Sequence, residues 1–203
     1  MTWKTHAAGG FLFGSATALL IKKNIPDFPY GQDIVFCISS ALFSSVCALL
    51  PDIDEKKSTA GRKLWFISWP IYLLQLLIKI PALFNKIFKS ASKVVGHRGV
   101  THYPITWLLL TGMAAGIASI IHYSNINYIT KMIFISILFG FSIGILSHII
   151  YDFFSGKIKL LGPISQKEYG VSLIKTNSIL EKVVLILSYF AAVRIIYIFL
   201  QTR

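Results

Sequence analysis

Residues 64–88, LWFISWPIYLLQLLIKIPALFNKIF, decide how the rest of this chain can be arranged. A membrane-spanning helix needs about 20 predominantly apolar residues, and this stretch just reaches that length. Pro70, Lys79 and Pro81 interrupt it. Its tryptophans, together with the flanking Lys86, Lys89 and Lys93, suit a helix lying in the membrane interface. If the stretch crosses the bilayer, the polar residues before and after it belong to opposite faces. If it does not, they share one.

The membrane context follows from composition. Of 203 residues, 55% are hydrophobic and 14% charged, with a mean hydropathy of +0.67. Soluble domains carry roughly 25% charged residues. The net charge of +12 then points to basic loops and anionic lipid headgroups. No aromatic–basic pattern of a nucleic-acid module is present. Cys37 and Cys47 lie within one apolar run, about 15 Å apart on a helix, too far for a disulfide.

Outward from residues 64–88, five apolar runs stand out. The first, 7–21, ends at Lys22 and Lys23. With Lys4 ahead of it, it has the outline of a signal peptide. An uncleaved helix is preferred, because His6, Gly10, Gly14 and Ala18 recur every four residues, a spacing that lets helices approach closely in lipid. The second, 34–50, ends at Pro51. Runs 103–121 and 132–150 flank a polar turn, and 180–200 is the last, after a loop with Gly156, Gly162, Pro163 and Gly170. The expectation is a single all-α domain over residues 1–203: a polytopic bundle of about five spans, with 64–88 interfacial or re-entrant.

This arrangement gathers the unusual residues. Asp52 and Asp54 follow the second run directly; two apart in an extended segment, they would face one centre. Their simpler reading is a charged helix stop. His97-Arg98-Gly99-Val100-Thr101-His102 precedes the next run. Its arginine offers a fork of donors for a phosphate, and Thr101 could orient a ligand. Two interfacial histidines beside a helix start is the plain alternative. His148 and Asp152, four apart, share a helix face, and Gly140, Gly144 and His148 repeat the spacing that leads to His6. The two seams therefore predict that these two helices pack on each other. Without a site, the second is a packing seam with a polar end. His122 lies in the opposite turn and reads as a solvent histidine.

With 64–88 not crossing, His6, Asp52, Asp54, His97, His102, His148 and Asp152 share one membrane face. Most of the 20 Lys and Arg fall on that face, whereas Lys22, Lys23, Lys131 and Arg203 fall opposite. Basic loops face the cytoplasm. Histidines and carboxylates gathered at headgroup depth suit two or three divalent ions acting on a phosphate ester.

The motif order resembles the YdjM-like family of bacterial inner-membrane proteins, described as membrane-bound metal-dependent hydrolases. The matching stretches are Thr5-His6 with Gly10, Leu50-Pro51-Asp52-Ile53-Asp54, His97 to His102, and Ser147-His148-Ile149-Ile150-Tyr151-Asp152 followed by Gly156, Leu160-Leu161 and Pro163. That family is distantly similar to zinc-dependent phospholipase C and P1-type nucleases. The resemblance implies His6, Asp52, His97, His102, His148 and Asp152 as metal ligands, with Asp54 as ligand or base. It implies zinc, with manganese as the alternative, and a bacterial inner-membrane location. The expected function is hydrolysis of a lipid or lipid-linked phosphoester. Arg98 would hold the phosphate and Asp54 or Asp152 would take the proton. An ion pathway using the same residues, or a scaffold with a structural metal, are the alternatives.

Overall fold

A computed structural model describes residues 1–24, 32–55, 58–63, 65–82 and 99–201. Among these the chain is helical, with only an isolated bridge between Ile158 and Tyr169 in extended pairing. The helices are α1 (Trp3–Asn24), α2 (Gln32–Cys47), α3 (Thr59–Lys63), α4 (Trp65–Ala82), α5 (Pro104–Tyr123), α6 (Tyr128–Ser155) and α7 (Ile179–Gln201). Short 3-10 turns occupy Leu50–Asp54 and Val100–His102.

Among the described residues, four stretches are long and apolar enough to cross a membrane: Asp33–Asp54, Pro104–Tyr123, Tyr128–Ser155 and Ile179–Gln201. The expected all-α membrane bundle therefore forms. The first expected span behaves differently from the other four. Helix α1 has 22 residues, about 33 Å at 1.5 Å per residue, yet its glycines, Ser15 and threonines lower its hydropathy. Its position explains this. It packs against α2, α6 and α7 and buries Thr5, His6, Ala8, Gly9, Gly10, Gly14, Ser15 and Ala18. A helix enclosed by other helices needs small residues more than lipid-facing ones. Helix α5 is the converse, with Ala114 its only buried residue and Leu108, Leu109, Met113 and Ile120 exposed.

As expected, α1 and α6 pack on each other and bring the His6 ring onto that of His148, but the glycines of the two seams make their closest approaches to a third partner. Both seams meet α2, whose Ser40, Ser44 and Ala48 form a third small-residue stripe. A Cβ on Gly14 would come within 2.7 Å of the Ser40 carbonyl oxygen, and one on Gly10 would strike that of Ser44. From the other side, a Cβ on Gly144 would come within 2.8 Å of the Ala48 nitrogen. Helix α2 thus lies between the seams of α1 and α6. At the far end Lys22 closes the bundle: its ammonium is 2.6 Å from Asp33 and donates to the Phe199 carbonyl at 3.1 Å.

Helix α4 has two faces. Ser68 donates to the Gly61 carbonyl at 2.8 Å, and Gln75 donates to the backbone carbonyl of Asp54 at 3.4 Å. Trp65, Trp69, Leu73, Leu76 and Leu77 are exposed on the other side. This polar-in, apolar-out pattern suits an interfacial helix. The chain leaves the bundle at Asp54 and is back beside it at Thr101, whose hydroxyl donates to the Asp54 carboxylate at 2.8 Å. Asp54 and Thr101 therefore lie side by side at one end of the bundle.

Candidate metal centre

The site lies where α1 begins, α2 and α6 end, and α5 is about to start. Proline at position 51 follows the end of α2, and the chain tightens into a 3-10 turn. The Ser58 hydroxyl donates to the Asp52 carbonyl at 2.6 Å and fixes that turn. The turn corrects the expectation that Asp52 and Asp54 face one centre. With three residues per turn, residues two apart diverge. The Asp52 carboxylate reaches the histidines, while that of Asp54 reaches Thr101.

Two imidazoles form the heart of the site. His148 Nδ1 lies 2.6 Å from the Ala48 carbonyl oxygen. A carbonyl only accepts, so Nδ1 carries a proton, and in the neutral ring Nε2 presents a lone pair. His102 Nδ1 lies 3.0 Å from the Thr101 hydroxyl oxygen. That hydroxyl spends its one proton on Asp54, so it accepts from Nδ1, and His102 Nε2 also presents a lone pair. Burial holds the His102 imidazole below the usual histidine range, although its hydrogen bond to Asp52 pulls the other way. It is therefore neutral at neutral pH.

The two Nε2 atoms face each other at 3.3 Å. Asp52 Oδ1 lies 3.5 Å from that of His102 and 3.7 Å from that of His148. Asp152 Oδ2 lies 3.7 and 3.6 Å from the same two atoms. Two lone pairs flanked by two carboxylates repel unless positive charge sits among them. One proton can join only one pair of these atoms; an ion can meet three or more, and Asp52, His102 and His148 lie close enough together to share one. Metal–ligand distances of about 2.0–2.2 Å give tetrahedral edges of about 3.3–3.6 Å. The distances above supply five of the six edges at 3.3–3.7 Å. The donor set fits a divalent metal ion.

The other Asp152 oxygen, Oδ1, lies 3.3 Å from His6 Nε2. The His6 ring stacks on that of His148 with centroids 3.9 Å apart. His6, His148 and Asp152 thus form a second group able to hold an ion, and both His148 and Asp152 also belong to the first cluster. The first turn of α1 is held by Glu181 of α7. Its carboxylate accepts from the Thr2 amide, from the Thr5 hydroxyl at 2.8 Å and from the Asn177 amide at 2.6 Å. A carboxylate at a helix N-terminus is favourable; here it also fixes the register of His6.

His6, Asp52, His102, His148 and Asp152 therefore converge, and Asp54 stands one hydroxyl away from His102. His97 and Arg98 lie outside the described residues. His122 sits at the far end, beside Tyr123. Two contributors were not singled out by the sequence. Glu181 was one acid among several, with no local motif to mark it. Ala48 acts through its carbonyl, for which the only sequence signal is Pro51 three residues later.

The fold and this cluster define an all-α membrane protein with buried histidine–aspartate groups that could hold a metal ion. The family described as YdjM inner membrane protein matches residues 1–202, and the chain belongs to that family. No curated protein and no solved structure matches the chain.

Proposed function

We propose that the protein is a membrane-bound metal-dependent hydrolase that cleaves a phosphoester in a lipid or lipid-linked substrate at the cytoplasmic face. The observation that carries this reading is the convergence of two imidazole lone pairs and two carboxylates at one end of a membrane bundle. Asp52, His102, His148 and Asp152 would hold one ion, and His6 with the second oxygen of Asp152 would hold another. Two imidazole nitrogens and two carboxylate oxygens, five of whose six separations are 3.3–3.7 Å, favour zinc over manganese, which prefers six oxygen ligands. A divalent ion bound there would polarise phosphoryl oxygens and supply an activated water at neutral pH.

The chain's own residues do the rest. Asp152 ties the two groups together through its two oxygens. Asp52 is the ligand with an exposed edge, its side chain 25% accessible, and so marks the side from which substrate enters. Arg98, next to Gly99 in the chain, would hold the phosphate. Lys4, Lys63, Lys157, Lys159, Lys167, Lys175 and Lys182 are at the site end and Lys22 and Lys131 at the other, which supports a cytoplasmic site. Clustering at one end, rather than through the bilayer depth, speaks against an ion pathway.

A second reading has an observation of its own. Four protein ligands around one ion resemble a closed structural site, as a metal-stabilised scaffold would need. The experiment measures metal content and phosphate release from lipid phosphoesters, using purified full-length protein in lipid nanodiscs. Hydrolysis would depend on bound zinc and vanish in His102→Ala. A protein that binds no divalent metal would overturn both readings. Bound metal that raises the unfolding temperature without any turnover would leave only the scaffold.

A further inference from the structure

We infer that Asp54 is a positioning residue: through the Thr101 hydroxyl it selects the tautomer of His102 that turns the Nε2 lone pair toward the metal position. Asp54 Oδ2 accepts from Thr101 at 2.8 Å, and the Thr101 oxygen lies 3.0 Å from His102 Nδ1. With Asp54 ionised, the order of donors follows. The carboxylate is acceptor-only when ionised, the hydroxyl has one proton, and so the imidazole must donate at Nδ1. Negative charge at the end of this chain also polarises the hydroxyl, strengthens the Nδ1 bond and makes Nε2 a better electron donor.

The surroundings keep the relay in place. Asp54 is 6% exposed, and its own carbonyl accepts from Gln75 of α4. The His102 amide donates to the Gly99 carbonyl at 2.9 Å, closing the turn that sets Thr101 beside the ring. His102 is fully buried, so water does not compete for Nδ1. His148 obtains the same result from the backbone carbonyl of Ala48. The two facing imidazoles are thus oriented by unlike devices, and only that of His102 can be altered by side-chain substitution.

The tautomer does not depend on the hydrolase reading; its consequence for metal affinity rests on the metal site of that reading. Full-length protein labelled with 15N at histidine reports the tautomer by solid-state NMR in bilayers, in the presence of a chelator. The expected result is a proton on Nδ1 of His102 in the native chain and in Thr101→Ser, and a mixture of tautomers in Thr101→Val and Asp54→Ala. Zinc affinity, measured by competition with a chelating dye, should fall roughly 10–100-fold in Thr101→Val and Asp54→Ala and return in Thr101→Ser. A native His102 protonated on Nε2 would overturn the inference whether or not metal binds. So would zinc binding at native affinity by Thr101→Val while Asp54→Ala loses the ion, which would make Asp54 itself a ligand.

Discussion

Asp152 has two oxygens and uses each on a different group of nitrogens. Oδ1 faces His6, and Oδ2 faces His102 and His148. Replacing it with asparagine should therefore disturb both ion positions, whereas His6→Gln should disturb only one. Metal content per chain after gel filtration tests this. Asp152→Asn should lose most of the bound zinc, and His6→Gln should keep about half. Equal losses in the two variants would show that the two groups are one site. The residues that make these groups were legible in the sequence, because histidine and aspartate are conspicuous at the ends of apolar runs. Asp54 was legible as a neighbour of the site but not in its place. Its direction depends on whether residues 50–54 are extended or coiled, and Pro51 permits both.

Among the helices, the glycines divide by what faces them. A Cβ on Gly144 would press on backbone atoms of Ser44 and Ala48, which cannot move aside, whereas one on Gly112 or Gly116 would meet nothing within 4 Å. Gly144→Ala should cost about 1–3 kcal/mol, the usual range for overpacking. Gly112→Ala should change stability by no more than about 0.5 kcal/mol. Unfolding in mixed micelles by a denaturing detergent measures both. Equal effects would mean that α6 and α2 are less closely packed than the structure indicates. The seams on α1 and α6 could be read because glycine every four residues is rare outside close packing. Their shared partner could not, since Ser40, Ser44 and Ala48 pass as ordinary members of an apolar run.

At the scale of the molecule, the Thr101–Asp54 bond holds these two residues together at one end of the bundle. In a background with Cys37 and Cys47 replaced by serine, Arg62→Cys, Val100→Cys and Glu168→Cys should react with a membrane-impermeant maleimide from the cytoplasmic side only. Asn125→Cys should react from the other. Labelling of Arg62→Cys and Val100→Cys from opposite sides would mean that α4 crosses the bilayer. That residues 64–88 do not cross is an expectation from sequence, reached by asking which topology keeps the histidines and aspartates together. The interior place of α1 could not be read there, because low hydropathy in a first helix reads equally as a marginal span.

Pro51 bears on all three scales. In an uninterrupted helix the Ala48 carbonyl would be claimed by the amide four residues on, at Asp52. Because the helix stops where it does, that oxygen stays available and His148 takes it. A ring closure in one segment thereby steers an imidazole contributed by another, a hundred positions away. The kink before Asp52 sets the aim of the pocket as well as the boundary of a helix.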